Sequence, residues 1–157
     1  ADGTIITSPT PHAQKPHGLL KSFLKMVFYT LDYILGYYFK VWKQAAQGHL
    51  VVFDRYYYDF YMDKRRYRLS ISNKVVRFFQ FFIPKPDITF ILVGDAKKIY
   101  DRKKEIKLAD VQKQIDILIQ NKHLYANPIE INVCKNISQV LFEVSAQILK
   151  ELHHRNA

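Results

Sequence analysis

Cysteine is nearly absent from this chain, since Cys134 is the only one among 157 residues. A lone cysteine excludes a disulfide within the chain and a zinc site of the CxxC type, so nothing points to an oxidising compartment. We therefore expect a cytoplasmic protein. Long apolar runs are also missing, and the first residues, ADGTIITSPTPH, contain neither a basic segment nor an apolar one. These absences predict no signal peptide and no transmembrane helix.

Positive charge is in excess. The chain has 24 Lys and Arg residues against 14 Asp and Glu, a formal net charge of +10. This excess favours polyanionic partners such as nucleotides, nucleic acid or an anionic membrane surface. With 48% hydrophobic residues, the chain can bury one core, and we expect residues 1–157 to form a single domain.

Apolar runs of strand length alternate with helical periodicities along the chain. The predicted strands are 4–7, which is weak, 50–53, 88–93 and 129–133. The predicted helices are 19–47, 73–83, 96–104, 108–125 and 137–152. Wholly apolar strands that alternate with helices predict an α/β fold, in which a parallel sheet is covered by helices on both faces.

The predicted helix 19–47 has one apolar stripe and many aromatic residues. The stripe recurs at steps of three and four residues, at Leu20, Phe23, Leu24, Val27, Phe28, Leu31, Ile34, Leu35 and Tyr38. Most of the aromatic residues we interpret as core or interface; they are Phe28, Tyr29, Tyr33, Tyr37, Tyr38, Phe39 and Trp42. The helix is also a candidate homodimer face. A base-stacking surface and a membrane-surface helix are the alternatives, the latter because lysines lie among the aromatics. Gly48 is expected to cap the helix.

The segment GHLVVFDRYYYD, residues 48–59, holds the main candidate site. Asp54 and Arg55 follow the predicted strand 50–53, and ligands bind beyond the carboxyl ends of the strands in open α/β sheets. A carboxylate beside a guanidinium suits magnesium and phosphate. The structural alternative is that Asp54 caps the next helix and Arg55 is its ion-pair partner.

Two further clusters are basic. Arg65, Arg66 and Arg68 form either a phosphate clamp or a solvated basic turn. Arg102 lies at the end of the predicted helix 96–104 together with two lysines, where the helix dipole favours cations in any case.

Three segments, GHLVVFDRY, PKPDITFILVGDA and KKIYDRKKEI, occur in the order found in thymidylate kinases. From about Pro16 onward the chain resembles this family of nucleoside monophosphate kinases. It is most similar to divergent members that read DRYYYDxxxDxRRYR before a PKPD turn. The resemblance implies transfer of the γ-phosphate of ATP, with Mg²⁺, to a nucleoside monophosphate such as dTMP or to a related acceptor.

The resemblance also implies roles for individual residues. Asp54 matches the carboxylate that helps to hold magnesium, Arg55 the residue that grips the acceptor phosphate, and Arg102 the arginine of the phosphate-covering lid. The residues expected to bind the acceptor are Arg55, Tyr56, Asp59, Arg65, Arg66 and Arg68. Those expected on the ATP side are Arg102, Lys103 and Lys104.

Two departures from the family matter. The acid that should end the apolar run 88–93 is displaced to Asp95. Nowhere does the sequence contain GxxxxGK followed by Ser or Thr, and its five glycines are scattered, so the backbone N–H groups that cradle nucleotide phosphates have no counterpart. We therefore expect a P-loop nucleoside-kinase-like fold that is incomplete at its N-terminus and inactive as an isolated chain. The alternatives are a noncatalytic nucleotide-binding or interaction module, or a basic protein that binds nucleic acid or a membrane surface.

Overall fold

The structure, a computed structural model, describes residues 15–102 and 107–156. These residues divide into two units, the first ending at Pro84 and the second beginning at Lys85. The weak strand predicted at 4–7 lies outside the described residues. The expectation of a single domain stays a prediction.

Helices make up the regular structure of the first unit over its described residues, 15–84. They are α1 (Leu19–Gly36), a π-helical segment (Tyr37–Val41), α2 (Trp42–Ala46), α3 (Asp59–Met62) and α4 (Asn73–Gln80). The continuous helical path over residues 19–46 confirms the predicted helix 19–47. Gly48 ends it as expected, with a left-handed φ of 81° and an N–H that donates to the Ala45 carbonyl oxygen at 3.0 Å.

Aromatic side chains form the core of the first unit. Tyr57 and Phe60 are buried, with ring centroids 5.0 Å apart. The Phe60 ring also lies 4.6 Å from that of Tyr67 and 5.2 Å from that of Tyr29. The Tyr57 hydroxyl donates to the Val76 carbonyl oxygen in α4 at 2.8 Å. The segment that begins just after Arg55 is therefore anchored by packing and by hydrogen bonds.

The prediction that the aromatic residues of helix 19–47 are core is wrong for the four that are exposed, Phe28, Tyr38, Phe39 and Trp42, whereas Tyr29, Tyr33 and Tyr37 are half-buried. The alternative, that they form an interface, stays a prediction. The buried positions of α1 are Ser22, Met26 and Thr30. Their polar atoms are satisfied, because the Ser22 hydroxyl accepts from the Ser70 N–H at 3.0 Å and the Thr30 hydroxyl donates to the Met26 carbonyl at 2.8 Å. The small side chain of Ser22 lets Ser70 approach α1 closely, and most large apolar side chains of the stripe are left exposed to solvent.

The predicted strand 50–53 is also wrong. Leu50 and Val52 are exposed, and the segment forms no ladder with any other described segment. A strand that is buried on both faces needs partner strands and covering helices, and the described part of the first unit supplies no strand. Asp54 and Arg55 therefore follow an irregular segment that ends in a bend.

The second unit contains a parallel strand pair and its crossover. Its elements are β1 (Thr89–Val93), α5 (Ala96–Arg102), α6 (Leu108–Gln120), a 3₁₀ turn (Lys122–Leu124), β2 (Pro128–Asn132) and α7 (Ile137–Asn156). The strands pair in register from Thr89 opposite Pro128 to Val93 opposite Asn132, which agrees with the predicted strands 88–93 and 129–133 within one residue. The packed residues Ala96, Val111 and Ile115 join α5 to α6.

The predicted fold class is wrong. Of the described residues, 60% are helical and their sheet has two strands, so this part of the chain contains no wide parallel sheet with helices on both faces. The error follows from counting every short apolar run as a strand, although such a run becomes one only where another strand accepts its hydrogen bonds. No helix in the described ranges has both the length and the apolarity that crossing a bilayer requires.

Candidate functional site

Arg55 is held in an unusual backbone conformation. Its φ of 71° lies in the left-handed region, which costs a non-glycine residue about 1–2 kcal/mol. Such a conformation persists only where the surroundings fix it. Here the chain turns at once into α3, with the Asp59 N–H donating to the Tyr56 carbonyl at 3.0 Å and the Phe60 N–H donating to the Tyr57 carbonyl at 3.1 Å. The turn brings the Arg55 side chain back over α3.

The Arg55 guanidinium is fixed by Asp59. Its Nη1 donates to Asp59 Oδ2 at 3.0 Å, and the two side chains are 46% and 12% exposed. Burial raises the pKa of Asp59, and the hydrogen bond and charge of Arg55 lower it by less, so that the net pKa is raised. Burial, the largest single cause, lowers the pKa of Arg55, but the hydrogen bond to Asp59 and the nearby negative charges together outweigh it and leave the pKa raised. Arg55 therefore remains a cation that a mostly buried acid orients.

A second guanidinium acts on the same carboxyl group. Arg66 is exposed, and its backbone N–H donates to Asp63 Oδ1 at 3.2 Å. The charge of Arg66 lowers the pKa of both Asp59 and Tyr67, although burial, the larger cause, raises each of them. We call Arg55, Asp59, Arg66 and Tyr67 the Arg55 cluster.

The Arg55 cluster has the chemistry of an anion site. Arg55 bonds to Asp59, and the charge of Arg66 also acts on this carboxyl group. Asp63 acts on Asp59 and Asp54 acts on Arg55, so the guanidiniums are not in excess over the carboxyl groups, and the case for an anion depends on the donors of Arg55. An arginine has five N–H donors, and Arg55 uses only Nη1 in its bond to Asp59. The remaining donors of a planar, oriented guanidinium match the oxygens of a phosphate.

Asp54 lies beside the cluster and is exposed. It does not cap a helix, because α3 begins at Asp59 with Tyr58 in the cap position. The alternative that Asp54 caps the next helix and pairs with Arg55 is therefore wrong. The ion pair that forms joins Arg55 to Asp59. The described residues hold no group of three His, Cys, Asp or Glu side chains that would bind a metal. A single carboxylate such as Asp54 fits magnesium only as one ligand of an ion that phosphate oxygens hold.

Three other predicted acceptor-site residues have structural partners. The Tyr56 hydroxyl donates to the Pro84 carbonyl, and the Tyr56 ring packs 5.2 Å from that of Tyr33. The Arg68 Nε donates to the Lys15 carbonyl at 3.0 Å, and the Arg65 carbonyl accepts from the Arg68 N–H at 3.0 Å. Of the three neighbouring arginines, Arg66 is the one whose charge acts on Asp59.

The predicted ATP-side residues belong to the second unit. Arg102 Nη1 donates to the Val133 carbonyl at 2.6 Å, so its guanidinium holds the turn after β2. Lys103 and Lys104 lie outside the described residues. The displaced acid, Asp95, stabilises the start of α5, because its Oδ1 accepts a hydrogen bond from the Lys98 N–H at 2.8 Å.

Sequence reasoning missed Tyr67 and the pairing of Arg55 with Asp59. The four-residue spacing from Arg55 to Asp59 is the signal that predicts this pair, since i and i+4 side chains meet wherever the chain makes a helical turn. The sequence feature that could have identified Tyr67 as a site residue is its position between Arg66 and Arg68.

No protein-family model, curated protein or solved structure matches this chain. The resemblance to thymidylate kinases therefore depends on the sequence segments alone and stays a prediction.

Proposed function

We propose that this chain is a nucleotide kinase-like phosphotransferase domain that binds the phosphate group of a nucleoside monophosphate, such as dTMP, or of a related acceptor through the Arg55 cluster. The observation that carries the proposal is the Arg55 guanidinium, which is half exposed and oriented by the mostly buried Asp59. An oriented guanidinium binds phosphate oxygens with less loss of side-chain entropy than a free one.

The resemblance supplies the reaction class, which is transfer of the γ-phosphate of ATP to that acceptor. In such a reaction the protein mainly positions the reactants and neutralises charge. Arg55 and Arg66 would hold the acceptor phosphate, and Asp54 would supply one oxygen to a magnesium ion bound to the nucleotide phosphates. ATP and Mg²⁺ enter the proposal by resemblance.

A noncatalytic nucleotide-binding module is the second candidate. It is favoured by the missing GxxxxGK[ST] segment, because no other glycine-rich run in the sequence offers successive N–H groups to a triphosphate. Both candidates require the same phosphate site and differ in the transfer step. The cytoplasmic location and the homodimer through helix 19–47 stay predictions from the sequence.

Calorimetric titration with dTMP, and in parallel with other nucleoside monophosphates, tests the phosphate site. Arg55→Met removes the guanidinium and should weaken binding about tenfold or more, because a hydrogen bond to a charged group contributes about 1.5–3 kcal/mol. Arg55→Lys retains the charge without the planar fork and should bind with intermediate affinity. Arg77→Met removes an exposed arginine of α4 and is the matched control.

The results separate the candidates. Binding that depends on Arg55, together with labelled phosphate transferred from ATP to the monophosphate, supports the phosphotransferase. Because the sequence lacks GxxxxGK[ST], we expect no transfer by this chain alone, and the transfer assay therefore uses a chain extended upstream by such a segment. The same binding without transfer by the extended chain supports the noncatalytic module. Absence of binding to every monophosphate tried, or equal affinities of Arg55→Met and the unchanged chain, would overturn the phosphate site itself.

A further inference from the structure

One face of α1 presents a row of large apolar side chains to solvent. The residues are spaced at helical steps, and each is between 52% and 73% exposed: Leu20, Leu24, Phe28, Leu31 and Leu35. Phe39, four residues further along in the π-helical segment, is 76% exposed. Exposed apolar residues are usually scattered singly, so a continuous row over five turns marks an interaction surface. We call these six residues the α1 apolar face.

Basic residues accompany the α1 apolar face. Lys21, Lys40 and Lys43 are exposed on the same helical segment, whereas Asp32 is the only acid between residues 19 and 46. Charge is unevenly divided along the chain: residues 15–84 contain 12 Lys and Arg against four Asp, a formal difference of +8 out of the +10 of the whole chain. The unit that exposes the α1 apolar face is therefore also the unit that carries most of the positive charge.

These two properties select among the possible partners. A second copy of the chain would bring the same lysines and the same excess charge toward each other, which opposes association. Nucleic acid would satisfy the lysines but would leave six large apolar side chains in water. An anionic bilayer surface satisfies both, since its headgroups attract Lys and Arg while the interface accepts Leu, Phe and Trp side chains.

We propose that the α1 apolar face docks onto the surface of an anionic bilayer, with α1 lying in the plane of the interface and Lys21, Lys40 and Lys43 contacting lipid headgroups. Trp42 follows the face by three residues and is exposed. Indole rings prefer the boundary between headgroups and acyl chains, so Trp42 enters that boundary when α1 docks. The proposal is independent of the phosphate site, because none of its residues belongs to the Arg55 cluster.

The fluorescence of Trp42 provides a direct measurement, because it is the only tryptophan in the chain. The probe is a vesicle of phosphatidylcholine with phosphatidylserine, compared with a vesicle of phosphatidylcholine alone. We expect a blue shift of the emission and sedimentation of the protein with the anionic vesicles, both much weaker with the neutral ones. Lys21→Gln, Lys40→Gln and Lys43→Gln together should weaken binding about tenfold or more, since each lysine near an anionic surface adds severalfold to the affinity.

A separate variant and its control test how much the apolar side chains contribute to vesicle binding. Leu24→Ser with Phe28→Ser removes two exposed members of the α1 apolar face and should abolish the blue shift, with circular dichroism confirming that the helices remain. Leu141→Ser with Phe142→Ser makes the same kind of change on α7 in the second unit, where both side chains are exposed, and should leave vesicle binding intact. Arg55→Met should also leave it intact, which separates this inference from the phosphate site.

Three results would overturn the inference. The first is equal binding to both kinds of vesicle. The second is binding to anionic vesicles or to heparin that is unchanged in the Leu24→Ser, Phe28→Ser variant, which would make the attraction purely electrostatic. The third is a dimer in sedimentation velocity without lipid that the same variant converts to monomer, which would assign the α1 apolar face to a second copy of the chain.

Discussion

Nη1 of Arg55 lies 3.0 Å from Oδ2 of Asp59, and the acid is the more deeply buried of the two. The pair joins a residue with left-handed backbone to the short helix α3, whose neighbouring rings form the core of the first unit. The guanidinium is therefore fixed on its inner side and open on its outer side. This asymmetry is the basis of our proposal that Arg55 binds an anion.

The first prediction concerns the contribution of Asp59 to the pH dependence of folding stability. Its pKa is raised by burial above the ordinary 3.8, so the folded state holds the proton more tightly than the unfolded state. The stability that this provides is complete below pH 3.8 and is lost as the pH rises above it. Urea unfolding at successive pH values from below 3.8 upward should show that the unchanged chain loses stability relative to Asp59→Asn as the pH rises.

Asp32→Asn, which removes an exposed acid of α1, controls for the loss of a negative charge. If the unchanged chain gains stability relative to Asp59→Asn as the pH rises, the attraction of Arg55 outweighs burial and our account of the pair is wrong.

The second prediction concerns the aromatic core. Phe60→Ala removes a ring that is 2% exposed and packed against Tyr29, Tyr57 and Tyr67, and should lower the free energy of unfolding by about 3–5 kcal/mol. Phe81→Ala removes a ring that is 84% exposed and should change it by about 0.5 kcal/mol or less. Chemical denaturation measures both. Equal effects would show that the first unit is not organised around Phe60.

The third prediction concerns the close approach of two loops in the second unit. A Cβ added at Gly94 would lie 2.6 Å from Cys134 Sγ, which is itself held by the Asp95 N–H at 3.2 Å. Gly94→Ala should therefore destabilise the chain by about 1–3 kcal/mol. Adding Cys134→Ala should restore part of this loss, so that the two changes are not additive in a double-mutant cycle. Additive effects would mean that the two residues are not in contact.

The fourth prediction is a loss of stability in alkali. Burial raises the pKa of Tyr61 to about 12 and raises that of Tyr57 as well, from an ordinary value of 10.0. The folded state therefore retains these protons while the unfolded state releases them, and stability falls as the pH rises above 10.0. Denaturant unfolding at successive pH values, with tyrosinate absorbance as the probe of ionisation, measures this. Tyr61→Phe should reduce the fall, and an unchanged slope would exclude its contribution.

Local pattern predicted helices well and the sheet poorly. The helix 19–47 was recognisable from its periodicity, and β1 and β2 from apolar runs that do find each other as partners. The run 50–53 has the same composition, but no strand pairs with it in the described part of its unit, and composition does not record whether a partner exists. Periodicity likewise revealed that α1 has an apolar stripe without revealing that the chain would cover Ser22, Met26 and Thr30 instead.

The candidate site was predictable only in part: the sequence singled out Arg55, Asp59 and Arg66 but not Tyr67 or the contacts among them. The DRYYYD segment placed an arginine and an acid four residues apart, which is enough to predict that they interact. That Arg66 is the neighbouring arginine whose charge acts on Asp59 depends on the turn over residues 64–68, whose path the sequence does not specify. Arg102 shows the limit of a transferred role, because its guanidinium bonds to the Val133 carbonyl in the second unit.

The central claim is that Arg55 binds a phosphate group, and a comparison of two ligands that differ only in that group tests it most directly. We would measure the affinities of thymidine and of dTMP for the unchanged chain and for Arg55→Met. We predict that the unchanged chain prefers dTMP, and that Arg55→Met removes most of this preference without changing the affinity for thymidine. A preference for dTMP that is equally large in both chains, or that is absent from the unchanged chain, would contradict the claim.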